Sequence, residues 1–248
     1  MSVAKLVQRV FRSFGFNVTR VPINRFDAMS DVLARLAAAG FAPTVTVDVG
    51  ANIGQWAAKA SAAFPRVPLH LVEPQAECRP ALDAFRSGRS GVDVHSVLVS
   101  RPGAREVMMA AAGTASTGAY VVRDPAGRSD LTAMRATTLD ELLSLRIGAG
   151  ERVLLKLDVE GHELDVLAGA QQLLSRVDVI ISEVQFFDID GIGNPVFGEF
   201  VAALDRLGYM LYDVAGLGQR PRDGRLNVGD VVFVRRGSSP LAADDRWE

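Results

Sequence analysis

The stretch that decides the fold runs from residue 44 to residue 54 and reads TVTVDVGANIG. Its first half is rich in β-branched residues and predicts a short strand that breaks at Gly50. A helix is expected at 56–64, and a second strand at 68–72 leads to Glu73. Strand, helix and strand within about thirty residues form a βαβ unit with a glycine loop after its first strand.

The glycine loop and the acid after the second strand have the arrangement of a nucleotide site. Glycines allow close backbone approach to a ligand, and the free N–H groups of the following helix attract an anion. An acid at the tip of the second strand, here Glu73, accepts hydrogen bonds from ribose hydroxyls. A dinucleotide fingerprint would have a glycine where Asn52 stands, so there is less room for a pyrophosphate. We therefore expect S-adenosylmethionine, whose amino group and sulfonium suit an acid, held by Asp48, Gly50, Asn52, Gly54 and Glu73.

The rest of the chain continues the alternation of strands and helices. Apolar runs at 152–157 and 177–183 lack a period of two, which is typical of parallel strands covered on both faces. Strands at 209–214 and 230–235 have no helix signal between them and should pair antiparallel. The pattern indicates a doubly wound α/β sheet. Other predicted elements are helices at 31–39, 77–85, 139–145, 162–174 and 196–207, a strand at 92–99, and a hairpin of 106–109 with 119–122.

The composition is that of an ordinary globular chain. The 248 residues carry 27 Lys and Arg against 29 Asp and Glu, and 48% are hydrophobic. A net charge of -2 lacks the basic excess that nucleic-acid binding usually requires, so no such partner is expected. A single cysteine, Cys78, allows no internal disulfide and favours a reducing compartment. We expect a cytoplasmic protein without a membrane-spanning segment.

Six short segments form the most specific pattern in the chain. They are VDVGANIG at 47–54, LVEP at 71–74, TLDEL at 138–142, LKLDVEGHE at 155–163, LAGA at 167–170 and SEV at 182–184. This set resembles the FkbM family of S-adenosylmethionine-dependent methyltransferases, and the resemblance covers about residues 44–235. The resemblance implies a class I, Rossmann-like methyltransferase fold: a seven-stranded, mostly parallel sheet with helices on both faces and the last strand antiparallel. It also implies O-methylation of a sugar, glycolipid or polyketide-type acceptor. An NAD-dependent oxidoreductase and a non-catalytic S-adenosylmethionine-binding module remain as alternatives.

The N-terminal segment predicts an amphipathic helix. Apolar residues from Val3 to Phe14 recur at helical spacing, with basic residues between them. Docking onto the domain or a partner is the first interpretation, and contact with a membrane surface is the alternative. We predict a helical extension at residues 1–40 and a methyltransferase domain at residues 41–248, with an unknown oligomeric state.

Charged residues follow the apolar strand at 152–157. Lys156, Asp158 and Glu160 alternate, so they point to one face if the extended conformation persists. Charges at the carboxyl end of a buried strand are costly unless they pair or face a cleft, and ligands bind at that end. We predict that they surround the acceptor hydroxyl and the sulfonium, with Asp158 also contacting the cofactor. The alternative is a structural Lys156–Asp158 ion pair, with Glu160 starting the next helix.

Two further residues on the same rim are candidate catalytic groups. His162 has the ordinary pKa that suits a general base, although a solvent-exposed histidine near a helix start is the commoner case. Glu183 ends the next strand and would orient the substrate, act as the base or cap a loop. Together with Asp158 and Glu160 these side chains offer ligands to a divalent ion, but their spacing matches no recognised set, so a metal is not favoured.

The strand predicted at 92–99 reaches the adenine end of the expected site. Ser96 and Val97 stand where residues often border adenine in this fold, and plain strand packing is the alternative. The Ser/Thr/Gly tract at 113–118 is expected to be a solvated hairpin tip, with contact to acceptor hydroxyls as the alternative.

Overall fold

A computed structural model describes residues 7, 10–15, 25–110, 117–189, 192–238 and 240–242. Its helices are α1 (Arg25–Ala38), α2 (Gln55–Ala63), α3 (Arg79–Ser87), α4 (Leu139–Leu143), α5 (Glu163–Ala168) and α6 (Phe197–Arg206). Its strands are β1 (Val45–Val49), β2 (Leu69–Val72), β3 (Val92–His95), β4 (Leu98–Val99), β5 (Glu106–Ala110), β6 (Tyr120–Val121), β7 (Leu131–Thr137), β8 (Val153–Leu157), β9 (Val177–Gln185), β10 (Tyr209–Gln219) and β11 (Leu226–Arg235). Short 3-10 turns lie at Ala76–Cys78 and Leu173–Arg176.

Seven strands form the main sheet in the order β3-β2-β1-β8-β9-β11-β10. The neighbours from β3 to β9 pair in parallel, whereas β11 pairs antiparallel with both β9 and β10. The last described strand is therefore inserted between two earlier ones. The predicted seven-stranded, mostly parallel sheet with an antiparallel last strand is confirmed.

Helices cover both faces of this sheet. On one face, Leu155 of β8 belongs to a buried cluster that includes Leu143 of α4, Val166 of α5 and Leu204 of α6. On the other face, Leu154 joins a cluster formed with α1. Because successive side chains of a strand point to opposite faces, a strand buried on both sides reads as a continuous apolar run.

Helix α1 is part of this packing. Met29, Val32, Leu33 and Leu36 are each at most 4% exposed and lie in the cluster that contains Leu154. The helix also begins six residues earlier than the predicted start at residue 31, at Arg25. Residues 25–38, which the predicted division assigns to the extension, thus share the core of the domain, and packing does not break at residue 40.

Half of the predicted amphipathic helix between residues 3 and 14 lies outside the described residues. Of the part that the structure describes, residues 10–13 are helical, and Val7, Val10, Phe11 and Phe14 expose 40% to 73% of their surface. No helix among the described residues combines the length and apolar character needed to cross a bilayer.

A second sheet, in the order β4-β7-β5-β6, is formed by the chain between β3 and α4. Strands β5 and β6 are the predicted antiparallel hairpin. The single strand predicted at 92–99 is wrong, because β3 ends at His95 and β4 pairs with β7 in the second sheet. The sequence analysis also missed β7, in which only Ala136 is buried, so its hydrophobic pattern is weak.

Two predicted elements differ in length from the observed ones. The helix predicted at 162–174 ends at Ala168 and is followed by Gly169, where a side chain would overlap the backbone carbonyl of Ser100. The predicted antiparallel pairing near the carboxyl end is confirmed, but β10 and β11 extend far into the expected connection at 215–229. Register shifts along this pair accommodate its glycines, and the turn is reduced to residues 220–225.

Candidate active site

A cavity of about 360 Å³ lies at the carboxyl ends of the parallel strands. Val49 pairs with Val72 of β2 and with Leu157 of β8, so the loops that follow these three strands emerge side by side. Ligands of open α/β sheets bind at this edge. The residues that line the cavity include Gly50, Asn52, Glu73, Val97, Met109, Thr117, Ala119, Val121, Lys156, Asp158, Glu160, His162, Glu183 and Asp230.

The loop after β1 is shaped by left-handed backbone. Gly50, Asn52 and Gly54 have φ values of 82°, 46° and 84°. A side chain on Gly50 would overlap the backbone carbonyl of Asp158, whereas one on Gly54 would meet only ordinary contacts with Leu82 and its neighbours. Glycine is therefore required at position 50 because the loop after β1 touches the loop after β8, which joins the predicted cofactor loop to the predicted catalytic segment.

Glu73 fixes the shape of the glycine loop. Its Oε2 accepts the backbone N–H of Asn52 at 2.8 Å, and its Oε1 accepts the N–H of Gln75 at 2.9 Å. Glu73 is only 4% exposed, and this burial raises the pKa of its carboxyl above the ordinary value. The acid that was predicted to meet the ribose thus lines the cavity and also anchors the loop beside it.

Asp48 is buried near the carboxyl end of β1, two residues before Gly50. Its Oδ2 has no hydrogen-bond partner among the described residues. Burial raises the pKa of Asp48 to about 7, and the positive charge of Lys156 opposes this shift. Asp48, Gly54 and Ser96 are predicted cofactor residues that do not appear among the described residues lining the cavity.

Lys156 is a buried cation surrounded by carboxylates. Its Nζ lies 3.3 Å from Asp158 Oδ2 and 3.5 Å from Asp230 Oδ1. Burial lowers the pKa of Lys156, but the neighbouring carboxylates of Asp158, Asp230 and Asp48 outweigh it and raise the pKa above its ordinary value. The ion pair that the sequence analysis named as an alternative is therefore present, and Lys156 lines the cavity as well.

Three carboxylates converge in the cavity. Asp158, Glu160 and Glu183 each place one oxygen within 4.8 Å of the other two. The extended conformation that would place Lys156, Asp158 and Glu160 on one face does not persist. Strand β8 ends at Leu157, and Glu160 adopts a φ of 53°. The left-handed turn brings Glu160 into the cavity instead. Oxygen donors at this spacing suit a hard divalent cation, but the nearby ammonium of Lys156 already neutralises Asp158.

His162 is buried, so the interpretation as a solvent-exposed histidine is wrong. Its Nε2 lies 2.9 Å from Ser100 Oγ, and its Nδ1 lies 3.2 Å from Asp165 Oδ2. Arg101 and Arg123 also contact the Asp165 carboxylate. Both ring nitrogens thus have protein partners while the residue lines the cavity.

The end of β3 provides one lining residue and one supporting residue. Val97 lines the cavity and packs against the main core. Ser96 Oγ accepts a hydrogen bond of 3.0 Å from Arg79 Nη1. Of the two residues predicted to border adenine, Val97 therefore contributes apolar surface to the cavity.

The comparisons with known proteins identify the family. Residues 48–211 match the methyltransferase FkbM domain. The chain belongs to the FkbM methyltransferase family. The chain resembles a putative sarcosine dimethylglycine methyltransferase from Galdieria sulphuraria, with a TM-score of 0.50 and 11% identity over 83% of this chain and 84% of that one. It also resembles magnesium protoporphyrin IX methyltransferase from Synechocystis PCC 6803 with bound SAM, with a TM-score of 0.48 and 12% identity over 95% and 98%. No curated protein matches the sequence.

Membership of the FkbM family decides between the classes that the sequence left open. The predicted family and the class I methyltransferase fold are confirmed, and so is S-adenosylmethionine as the cofactor. The chain is thus a methyltransferase, and the alternative of an NAD-dependent oxidoreductase is not supported. The identity to the solved structures is low enough that their likeness concerns the fold.

The sequence did not predict two parts of the cavity. One is Asp230, whose signal was a lone acid at the start of an apolar run. The other is the wall that the second sheet contributes, formed by Met109, Ala119 and Val121 together with Thr117. Thr117 belongs to the tract at 113–118, whose contact with acceptor hydroxyls was the alternative; residues 113–116 lie outside the described part.

Proposed function

We propose that this FkbM-family enzyme transfers the methyl group of S-adenosylmethionine to a hydroxyl of a sugar, glycolipid or polyketide-type acceptor. The observation that carries the proposal is that the predicted cofactor loop and the predicted catalytic carboxylates line one cavity. Gly50, Asn52 and Glu73 belong to the first group, and Glu160 and Glu183 to the second. Donor and acceptor must meet in line within one enclosure, because positioning is the largest contribution that a protein makes to such a transfer.

The residues present fit S-adenosylmethionine. The cavity volume lies in the range of small-molecule sites. The two carboxylate oxygens of Glu73 accept the backbone N–H groups of Asn52 and Gln75 and a hydrogen bond from the Gln75 side chain, and a carboxylate with four lone pairs has one left for a ribose hydroxyl. Val97, with Ser96 beside it, offers apolar surface to adenine. We assign Asp158 to the positive charges of the cofactor, and Gly50 and Asn52 to the backbone that surrounds its carboxylate. Asp48 and Gly54, which do not line the cavity, flank this loop in the sequence.

When bound, the cofactor supplies an electrophilic methyl group on a sulfonium. The protein's own part is to hold the acceptor oxygen in line and to take its proton. Positioning provides effective molarities of about 10⁵ to 10⁸ M, whereas a general base typically adds about 10² to 10⁴-fold. Positioning therefore contributes the larger share of the rate.

The contacts divide the five predicted catalytic residues into two groups. Lys156 and Asp158 form an ion pair, so we assign these two residues to charge balance in the site. The ring nitrogens of His162 contact Ser100 and Asp165, so we assign His162 to positioning. Glu160 and Glu183 line the same cavity, and we assign proton acceptance to these two carboxylates.

The second sheet supports an acceptor that combines apolar surface with hydroxyls. Met109, Ala119 and Val121 present apolar groups to the cavity, and Thr117 adds a hydroxyl. An acceptor that carries an alkyl or polyketide portion next to its reacting hydroxyl matches this wall better than a small, fully polar sugar does.

Methyl transfer is tested directly with labelled S-adenosylmethionine. The purified protein is incubated with separate sugar, glycolipid and polyketide extracts, and each fraction is read for label. We expect one fraction to be labelled, little label with a Glu160→Gln, Glu183→Gln double variant, and normal labelling with the exposed control Glu77→Gln. If no fraction takes label while S-adenosylhomocysteine still stabilises the protein, the chain is a non-catalytic S-adenosylmethionine-binding module.

A further inference from the structure

A cluster of two histidines and one aspartate lies on β2 and β3, outside the cavity. His70 pairs in register with Asp93 of the neighbouring strand, and His95 lies two residues further along the same face of β3. One donor atom of each of the three side chains lies within 4.8 Å of the other two. None of these residues is among those that line the cavity.

The spacing of the donor atoms matches a tetrahedral metal site. His70 Nδ1 lies 3.2 Å from His95 Nε2 and 3.5 Å from Asp93 Oδ2. In a tetrahedron with zinc–ligand bonds of about 2.0 to 2.2 Å, neighbouring ligand atoms are about 3.3 to 3.6 Å apart. Two of the three separations therefore already match such a site, and the third, between the donor atoms of His95 and Asp93, lies within 4.8 Å.

The types of donor and their surroundings select the class of ion. Two imidazoles and a carboxylate suit Zn²⁺ and related transition metals, whereas Ca²⁺ and Mg²⁺ prefer oxygen ligands. His70 is 8% exposed, but the Asp93 side chain is 59% exposed, so an ion reaches the cluster from solvent. Each imidazole binds a metal ion in its neutral form.

We propose that His70, Asp93 and His95 bind one Zn²⁺ ion, with the fourth position left to water, and that the ion braces the edge of the main sheet. Among the strands that the structure describes, β3 is the terminal strand of that sheet and pairs with β2 alone. The backbone carbonyl of His95 accepts the N–H of Glu73 at 3.0 Å, so the brace adjoins the strand ends that lead to the cavity. One imidazole changes tautomer on binding, because the hydrogen bond between the rings is replaced by two bonds to the ion.

One charge opposes the ion. Arg146 lies close enough that its positive charge lowers the pKa of both His70 and His95, while Asp93 acts in the opposite direction. The side chain of Arg146 is exposed and is able to turn toward solvent. Replacement of this charge should therefore strengthen binding, which a merely structural histidine pair would not show.

The test is a titration of the full-length protein, freed of metal with a chelator, with Co²⁺ and then with Zn²⁺ in competition. Visible absorption reports tetrahedral Co²⁺, and calorimetry reports the affinity for Zn²⁺. We expect one ion per chain in the parent. His95→Gln should weaken binding by at least about 100-fold, since loss of even an outer-shell partner costs about 10- to 100-fold. Asp93→Asn should also weaken it and, being exposed, should fold normally, whereas Arg146→Gln should tighten it.

The control variant is Glu183→Gln, which alters the carboxylate cluster in the cavity and should leave the Co²⁺ spectrum unchanged. A Zn²⁺-dependent rise in melting temperature in the parent, reduced in Asp93→Asn, supports the brace. The proposal is overturned if the parent binds no Co²⁺ or Zn²⁺, if His95→Gln binds as tightly as the parent, or if only Glu183→Gln loses the ion. These readings use no methyl donor, so they do not depend on the proposed methyl transfer.

Discussion

The backbone carbonyl oxygen of Asp158 occupies the place that a Cβ on Gly50 would need. The contact joins the loop after β1 to the loop after β8, and both loops line the cavity. Any residue that widens this contact changes the cofactor loop and the carboxylate cluster together. The two loops therefore form one structural unit, and a change in one is expected to move the other.

Gly50→Ala should cost more stability than Gly54→Ala. Both glycines have φ values near 80°, so each variant pays about 1 to 2 kcal/mol for left-handed backbone. Only Gly50→Ala adds an overlap with backbone, which cannot rotate away. Denaturant unfolding of the two variants measures the difference directly. Equal losses would show that the loops separate without cost.

Glu73→Gln should weaken binding of S-adenosylhomocysteine and lower stability by about 1 to 3 kcal/mol, because an amide N–H₂ would face a backbone N–H. In the parent, this ligand at a hundredfold its dissociation constant should add about 2.7 kcal/mol, whereas NAD should add none. Calorimetry and melting curves measure both effects, with Glu77→Gln as the exposed acidic control. Unchanged affinity in Glu73→Gln would remove Glu73 from the ribose.

Asp48 should make the protein less stable as pH rises. Its folded-state pKa of about 7 exceeds the ordinary value of 3.8, so the folded state holds the proton more tightly than the unfolded state does. Between about pH 4 and pH 7 this single group should lower the free energy of unfolding by up to about 4 kcal/mol. Asp48→Asn should gain stability relative to the parent across that window.

Urea unfolding of the parent, Asp48→Asn and Glu77→Gln at several pH values measures this difference. The control should run parallel to the parent, since Glu77 is exposed. If Asp48→Asn also ran parallel to the parent, Asp48 would be ionised throughout the range and held so by Lys156.

Glu160→Gln tests proton acceptance, whereas Asp158→Asn tests neutralisation of the Lys156 charge. If Glu160 accepts the proton, Glu160→Gln lowers kcat by about 10² to 10⁴-fold with little change in cofactor affinity. Asp158→Asn should in addition lower stability, because it leaves the buried Lys156 with one fewer of its carboxylate partners. Single-turnover rates, ligand affinity and unfolding are compared for each. A loss below tenfold in both would assign proton acceptance to Glu183 or His162.

Local signals explain which parts of the fold were predictable. The βαβ unit was predicted because its signals are local. β-branched residues favour a strand where they stand, Gly50 ends that strand, and Pro65 ends the helix that follows. Strand β7 was not predicted, because only Ala136 of its residues is buried, so it lacks the hydrophobic pattern on which strand prediction depends. The split between β3 and β4 was also hidden, since a change of sheet leaves the composition unaltered.

The candidate site shows the same division. Lys156 and Asp158 are two positions apart, and their pairing was the alternative that the sequence analysis named. Asp230 lies 74 residues from Lys156 and reaches it only through the pairing of β11 with β9, which no local pattern indicates. The burial of His162 likewise depends on Ser100, which is 62 residues away.

The insertion of β11 between β9 and β10 has a consequence for how the chain is synthesised. A ribosome completes β9 and β10 before it makes the strand that lies between them, so these two cannot take their final places until residues 226–235 emerge. That late strand also delivers Asp230 to Lys156, which until then lacks one of its neutralising partners. Nascent chains and products of premature termination before β11 are therefore expected to be inactive, because the charge balance of the active centre is completed only once residues 226–235 have been made.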